Sequence, residues 1–197
     1  MGAELIKKAN SGAGKRAESG FSLIEVMISM TVLTVGMVSL LGVFGLALEA
    51  TQASQQNTIA KQLANEAYES IITARNSTEF NWDALQNVGS TQCISGASSC
   101  GAFLTGWMPI YNAGADGVYG TADDAASGEQ TLQDPGPDGI FQTADDTFIP
   151  LTGYQRQITI TTVDPTLRSV TITIQYTIPQ AGLQQTYTLN SLISEFQ

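Results

Sequence analysis

The stretch that decides the fold reads Lys15-Arg-Ala-Glu-Ser-Gly-Phe-Ser-Leu-Ile-Glu25, followed by VMISMTVLTVGMVSLLGVFGLAL over residues 26–48. No charged residue interrupts those last 23 residues. A helix rises about 1.5 Å per residue, so the uncharged segment spans roughly 35 Å. This is enough to cross a hydrocarbon layer of about 30 Å. We therefore predict a membrane-spanning helix over residues 21–48.

The charges are divided unevenly along the chain. Residues 1–20 carry a net charge of +2, whereas residues 21–197 carry sixteen acids and four cations, a net charge of −12. A basic segment beside a membrane helix stays in the cytoplasm. This asymmetry predicts a single-pass membrane protein whose acidic body lies outside the cytoplasm.

The composition excludes several classes of protein. The chain has 197 residues and no histidine, so it has neither a Ser-His-Asp or Cys-His catalytic unit nor an ordinary zinc site. Eight lysines and arginines stand against eighteen acids, which argues against a broad surface that binds nucleic acid. No nucleophile can be paired with a base, and we predict that the protein is not an enzyme.

A cleaved secretory signal and a plain membrane anchor are the alternatives for the N-terminal segment. A secretory signal has a shorter apolar core with a small residue after it, whereas Gly20 precedes the core here. Glu25 lies at the edge of the apolar run, where an unpaired charge is costly. Cleavage after Gly20 would create an α-amine on Phe21, within reach of Glu25 of the same chain or of a neighbour.

This junction resembles the type IV prepilin cleavage and methylation motif. The matching residues are Gly20, Phe21, Ser22, Leu23, Ile24, Glu25 and Val26, with Lys15 and Arg16 upstream. The resemblance implies that residues 1–20 are a leader, that a prepilin peptidase cuts between Gly20 and Phe21, and that the new amine is methylated. It also implies storage in the inner membrane and assembly with other pilin subunits through the apolar helix, with Glu25 as the pairing residue.

Two features depart from the family pattern. The leader is longer than in many type IVa pilins, and the proline that many major pilins carry is replaced by Gly42. Gly36, Gly42 and Gly45 could loosen the helix, since each costs up to about 1 kcal/mol relative to alanine. Close packing between helices is the alternative role for these glycines.

Residues 49–75 continue the helix without glycine or proline. Apolar residues recur there at every fourth position, namely Ile59, Leu63, Ala67 and Ile71, and polar residues fill the opposite side. Such a stripe is typical of an amphipathic helix that packs on a core. We therefore predict one helix over about residues 22–75, with a transmembrane half and an amphipathic half.

Residues 76–150 show no long periodic pattern, and we predict an irregular region there. Within this region Cys93 and Cys100 bracket a six-residue segment. Outside the cytoplasm two such cysteines should oxidise, and a redox centre would favour Cys-x-x-Cys spacing, so we expect a structural disulfide. Closing so short a loop stabilises the fold by roughly 2–3 kcal/mol in the chain-entropy model.

An acidic repeat lies in the same region. The segment Gly114–Asp124 recurs 22 residues later as Gly136–Asp146, with seven of eleven positions identical. Extended by two residues, each copy resembles a twelve-residue calcium loop with side-chain oxygens at places 1, 5 and 12, glycine at 6 and a backbone carbonyl at 7. The predicted Ca²⁺ ligands are Asp134, Asp138, Ile140 and Asp145 in the second, stronger loop, and Asn112, Asp116, Val118 and Asp123 in the first.

The charge of this region supports a bound cation. Residues 112–150 hold eight acids and no cation, so their mutual repulsion would be relieved by a metal ion. Two departures from the calcium pattern are glycine at place 3 and aspartate, rather than glutamate, at place 12. The alternative is a metal-free acidic loop built from turns in which aspartate side chains accept main-chain hydrogen bonds.

From residue 154 the apolar pattern has a period of two, with β-branched residues alternating with threonine. Turn signals at Asp164-Pro165-Thr166 and Pro179–Gly182 divide residues 151–197 into three strands. We predict an antiparallel β-meander whose apolar face is covered by the amphipathic helix. This α+β order, a long helix followed by a meander, matches the pilin fold.

The resemblance implies a minor pilin that assembles or primes a type IV pilus. The ending from Arg168 to Leu192 loosely resembles the PilV-type minor pilins, called type IV pilus modification proteins. The alternatives are a pseudopilin of a type II secretion system, a calcium-dependent adhesive or ligand-binding head displayed on the filament, and a membrane-anchored enzyme. The expected location is the inner membrane and then the pilus or cell surface, with no direct nucleic-acid partner.

Overall fold

The computed structural model describes residues 20–77, 79–178 and 182–196. The predicted leader therefore lies outside the described residues except for Gly20, and so does most of the predicted turn at Pro179–Gly182. The chain divides into two compact units, one ending at Ala47 and one beginning at Leu48. The second unit is called the head below.

Helix α1 is continuous over Leu23–Asn76. It begins where the carbonyl of Ser22 accepts hydrogen bonds from the amides of Glu25 and Val26, at 3.0 and 3.2 Å. It closes with a bond of 2.8 Å from the Ser77 amide to the Thr73 carbonyl. No proline interrupts it, and the prediction of one long helix is confirmed.

The first half of α1 is long and apolar enough to cross a membrane. No charged residue lies between Glu25 and Glu49, and the large apolar side chains of this half up to Leu48 are between 43% and 80% exposed. Hydroxyl groups in this half bond back to carbonyls three or four residues earlier, as in Ser29 to Glu25 at 2.7 Å and Thr34 to Thr31 at 2.9 Å. These bonds satisfy serine and threonine hydroxyl groups that would find no hydrogen-bond partner in lipid.

The second half of α1 supplies one side of the core of the head. Its buried residues follow the spacing of one helical face and are Ala60, Leu63, Ala64, Ala67, Ile71 and Ala74. The many alanines leave little side-chain volume, which lets the helix pack closely on the sheet. The amphipathic prediction is thereby confirmed.

The strands are β1 (Met108–Pro109), β2 (Thr131–Asp134), β3 (Thr147–Pro150), β4 (Tyr154–Asp164), β5 (Leu167–Ile178) and β6 (Leu183–Ser194). One antiparallel sheet has the order β1-β4-β5-β6, and β2 pairs with β3 in a separate hairpin. The three long strands form the predicted meander. The α+β pilin fold is therefore confirmed.

The register of the sheet places the predicted apolar residues on one face. Ile158 lies opposite Ile172, and Ile160 lies opposite Val170, and all four are buried against the helix. Among the described residues, every buried apolar side chain lies between Ala60 and Ile193. The head therefore holds a complete core of its own, as expected of a segment that folds independently.

The sequence did not predict the short strands β1, β2 and β3, which lie within the region expected to be irregular. Strand β1 adds a fourth strand to the meander, through Met108 opposite Arg156 and Pro109 opposite Gln155. Strands of two to four residues are too short to show a period of two, so only tertiary pairing reveals them.

Candidate processing site and acidic loops

The predicted cleavage site lies immediately before α1. Gly20 and Phe21 precede the first helical residue, and the Phe21 side chain is 83% exposed. A peptide bond outside regular structure can be drawn into a protease active site without unfolding a helix. The junction is therefore accessible for the cleavage that its sequence implies.

Glu25 lies in the first turn of α1 and is exposed. The first amide groups of a helix have no partner within the helix, and a side-chain oxygen in this turn can accept a hydrogen bond from them. This local role is an alternative to pairing with an amine. The two roles differ in what a neutral, hydrogen-bonding replacement would do, and this difference is used below.

The predicted disulfide joins Cys93 and Cys100. Asp83 holds the loop between them, because its carboxylate accepts bonds from the amides of Ile94 and Ser95 at 2.7 and 2.8 Å. The Ser95 hydroxyl, followed by these two amides, lowers the pKa of Asp83 below its ordinary value. The disulfide thus joins the two ends of this exposed loop, and a charged hydrogen-bond acceptor holds it at Ile94 and Ser95.

The first acidic loop brings Asp116 and Asp123 together. The Asp116 carboxylate accepts from the Val118 amide at 2.8 Å, and the Asp123 carboxylate accepts from the Asp116 amide at 3.3 Å. The Thr121 hydroxyl donates to Asp123 at 2.7 Å, and this bond is the main reason that the pKa of Asp123 is lowered.

The remaining two predicted groups of this loop have other partners. The side-chain amide of Asn112 donates to the carbonyls of Ser127, Gly128 and Glu129 at 3.3 to 3.4 Å. The carbonyl of Val118 accepts from the Thr121 hydroxyl at 3.2 Å. Metal coordination by Asn112 would require its side-chain oxygen, which leaves these amide bonds intact.

Asp124 is a member of this cluster that the sequence analysis missed. One oxygen from each of Asp116, Asp123 and Asp124 lies within 4.8 Å of the others. Asp124 is fully buried and accepts from the amides of Gly114 and Gly120 at 3.1 and 2.6 Å. Both repeats end in two adjacent aspartates, and the calcium pattern uses only the first of each pair. The second aspartate was therefore the available signal for a further acid in the cluster.

A buried arginine lies near Asp124. Arg156 on β4 is 3% exposed, and its guanidinium carbon lies 4.5 Å from the centre of the Tyr119 ring. Burial raises the pKa of Asp124, and the positive charge of Arg156 opposes that shift. The first loop therefore already has a cation close to one of its three carboxylates.

The second acidic loop repeats the same hydrogen bonds in an exposed setting. The Asp138 carboxylate accepts from the Ile140 amide at 2.8 Å, and the Asp145 carboxylate accepts from the Asp138 amide at 3.4 Å. The Thr143 hydroxyl donates to Asp145 at 2.7 Å, which is the main cause of the lowered pKa of Asp145. Asp134 accepts from the Gly136 amide at 3.3 Å, and the Ile140 carbonyl accepts from the Thr143 hydroxyl at 3.0 Å, which completes the predicted set.

The glycine at place 3 of each loop has a steric reason. A Cβ atom on Gly114 would lie 2.1 Å from the Asp123 carboxylate, and one on Gly136 would lie 2.7 Å from the Asp145 carboxylate. The acid at place 12 therefore occupies the space that a side chain at place 3 would need. The packing of the loop therefore explains why glycine replaces an acid at this place of the calcium pattern.

Comparison with known proteins gives one match. Residues 15–41 match the family described as "Prokaryotic N-terminal methylation motif". No curated protein and no solved structure matches the chain. The matched segment contains the predicted cleavage site, Glu25 and the first part of α1. Together with the fold, it supports a type IV pilin-like protein that carries the prepilin N-terminal methylation motif.

Proposed function

We propose that this protein is a minor pilin, a structural subunit that assembles or primes a type IV pilus. The observation that carries the proposal is the methylation motif of residues 15–41, placed at an exposed junction before an apolar helix. The head adds an acidic surface and a sheet outside the membrane. Structural subunits of this kind need no catalytic centre.

The proposal includes the route by which the subunit reaches the filament. A prepilin peptidase removes residues 1–20, and the mature subunit remains in the inner membrane through the first half of α1. The basic leader favours an orientation with the head outside the cytoplasm. Assembly then exchanges lipid contacts for contacts with other pilin subunits, and the head reaches the pilus or the cell surface.

More specific assignments follow from weaker features. The resemblance of residues 168–192 to PilV-type minor pilins favours a pilus over the filament of a type II secretion system. A pseudopilin would use the same motif and is the main alternative. Deletion of the gene separates the two, since loss of pili supports our proposal and loss of secretion alone supports the pseudopilin.

The role of Glu25 provides a direct test of assembly. We expect Glu25→Ala to leave the protein inserted and the head folded but to abolish most incorporation into filaments. In the unaltered protein, the isolated Glu25 carboxylate at the edge of the apolar segment would pair with the Phe21 amine of a neighbouring subunit. Alanine removes this pairing. Incorporation is measured by immunoblotting sheared filaments against the membrane fraction.

Glu25→Gln is the matched control. Glutamine keeps the size and hydrogen-bonding capacity needed in the first turn of the helix but lacks the charge. Equal loss in both variants supports charge pairing. Normal incorporation of Glu25→Gln would assign Glu25 to capping of its own helix, and normal incorporation of both would contradict the assembly role.

We also propose that the head binds Ca²⁺ through the acidic repeat. The side chains of Asp134, Asp138 and Asp145 and the carbonyl of Ile140 would hold the ion in the second loop. Asp116 and Asp123, the Val118 carbonyl and Asn112 would form a weaker site in the first. The nearby charge of Arg156 reduces the need for a second cation there, whereas the gathering of the Asp116, Asp123 and Asp124 carboxylates favours one.

The calcium proposal predicts a thermal shift. We expect the melting temperature of the chelator-treated head to rise with calcium, because a ligand that binds only the folded state stabilises it. Asp138→Ala should remove most of the rise and Asp116→Ala less. Glu79→Ala changes an exposed acid outside the repeat and should leave the rise intact.

Calorimetry gives the decisive comparison. Magnesium should produce a smaller effect, because it requires a tighter octahedral arrangement than flexible loops provide. The absence of both heat and thermal shift at millimolar calcium would show that the repeat is a solvated pair of turns.

A further inference from the structure

A cavity of about 360 Å³ lies in the head between the disulfide loop, residues 93–100, and the turn that joins β4 to β5. Its wall includes Ile94 of that loop, Val163 near the end of β4, Pro165 in the turn and Arg168 at the start of β5. The volume is in the range of small-molecule sites, which is about 300–1,000 Å³. Neither the processing site nor the acidic repeat includes any of these residues.

Arg168 is a fully buried charge whose hydrogen-bonding capacity is only partly used. Its guanidinium carbon lies 4.2 Å from the centre of the Trp82 ring, and Nη1 donates to the carbonyls of Trp82 and Leu85. Nε and Nη2 are buried and have no hydrogen-bond partner within the described part of the chain. A buried donor without a partner costs free energy, and the cost is greater when the group is charged.

The two unpartnered nitrogens are the pair that is shaped for a carboxylate. Nε and Nη2 lie on the same side of the guanidinium and form a planar fork of N–H donors. A carboxylate fits this fork with two parallel hydrogen bonds. We propose that the cavity binds a small organic acid, with a single carboxylate on Arg168 and an apolar body against the rest of the wall.

The rest of the wall suits an apolar body. Ile94 and Val163 are 57% and 60% exposed, so a ligand in the cavity would cover apolar surface that now faces water. The register of β4 and β5 shifts between Thr162 and Asp164, which leaves Val163 as an extra residue. Bulges of this kind redirect a side chain beside a binding site. Because Ile94 and Val163 are exposed, their side chains can turn aside to give a ligand access to the buried nitrogens of Arg168.

Nearby acids limit the charge that the ligand can carry. Asp164 lines the cavity, and its carboxylate accepts from the amide and the hydroxyl of Thr166 at 3.3 and 3.2 Å. The charges of Asp83 and Glu195 also act on Arg168. These carboxylates repel a second negative charge on the ligand. We therefore expect a monocarboxylate to bind and inorganic phosphate to bind poorly.

The test titrates the head, residues 48–197, with hexanoate and follows the indole N–H signal of Trp82 by NMR. This group donates to the carbonyl of Pro165 at 2.8 Å, in the wall of the cavity, and the chain has one other tryptophan, Trp107. We expect a saturable shift of the Trp82 signal. Hexanamide lacks the charge and acetate lacks the apolar body, so both should bind about tenfold more weakly or worse.

Two variants locate the binding. Arg168→Lys keeps the charge but loses the planar fork, and it should weaken hexanoate binding by about tenfold or more. Val163→Asp places an acid at an exposed position of the wall and should weaken binding to a similar extent. Val88→Asp is the matched control, because Val88 is 52% exposed and lies outside the wall, and it should leave binding unchanged.

Thermal melting should show that the variants are folded, and Val163→Asp decides the outcome if Arg168→Lys is not. Three results would overturn the proposal. The first is the absence of a saturable Trp82 shift at millimolar hexanoate. The second is equal binding of hexanoate and hexanamide. The third is binding that survives Val163→Asp or is weakened equally by Val88→Asp.

Discussion

We expect the Gly20→Leu variant to keep its leader in cells with an active prepilin peptidase, whereas the unaltered chain begins at a methylated Phe21. The peptidase must approach the main chain at the scissile bond, and a bulky side chain there obstructs it. Intact-mass measurement of membrane protein distinguishes the two products, since the leader accounts for twenty residues and the methyl group adds a further shift.

A folding defect would not explain the loss of cleavage in Gly20→Leu. A Cβ atom added at Gly20 meets nothing within 4 Å, and the same holds at Gly36 in the apolar half of α1. Gly36→Leu is therefore the matched control and should be cleaved and methylated normally. Gly20→Ala should be affected less than Gly20→Leu.

Two results would contradict the processing site. Cleavage of Gly20→Leu at Phe21 would show that the small residue is not required. A native N-terminus at any other residue would remove the basis for the pilin proposal. Because cleavage precedes assembly, this experiment also separates a processing defect from the assembly defect expected of Glu25→Ala.

Local patterns were sufficient to predict the long elements of the fold. The uncharged run after Glu25 and the apolar stripe at Ile59 to Ile71 each repeat over several helical turns, and the structure joins them in one helix. Strand β5 alternates buried and more exposed residues through Ile172 and Ile174 in the predicted way. Repetition over many residues is a strong signal because each residue reports the same face.

The missed features depend on contacts between distant segments. The Asn87 side chain donates to the Ile158 carbonyl at 2.8 Å and accepts from the Ile160 amide at 2.7 Å, so it pairs with the edge of β4, 71 and 73 residues further along the chain. Nothing in its local sequence indicates a strand edge. Asp124 and Arg156 are likewise brought near each other only by the packing of a loop on β4. The repeat indicated which residues resemble metal ligands, but it did not indicate that Asp124 is buried.

The role of Asn87 leads to the largest stability effect that we predict within the head. Asn87→Ala leaves the Ile158 carbonyl and the Ile160 amide without their partner, and both residues are buried, at 3% and 7% exposure. Each buried main-chain group that loses its hydrogen bond costs about 1–3 kcal/mol. We expect the free energy of unfolding to fall by about 2–6 kcal/mol in chemical denaturation, the sum for the two groups. Asn65→Ala, on the exposed side of α1, is the control and should cause no loss.

The Asn87→Asp variant refines this prediction through its dependence on pH. A protonated carboxyl group can accept from the Ile160 amide and donate to the Ile158 carbonyl, as the asparagine amide does. An ionised carboxylate keeps the first bond but faces that carbonyl without a proton, so we expect the fold to raise the pKa of the introduced carboxyl group. With a raised folded-state pKa, the stability that this group contributes is present below the unfolded pKa and is lost as pH rises through the folded pKa. At acid pH, the free energy of unfolding of Asn87→Asp should therefore approach that of the unaltered head measured at the same pH. Near neutral pH it should approach that of Asn87→Ala. Equal stability of the acid variant and the unaltered head at neutral pH would show that the second bond contributes nothing at this edge.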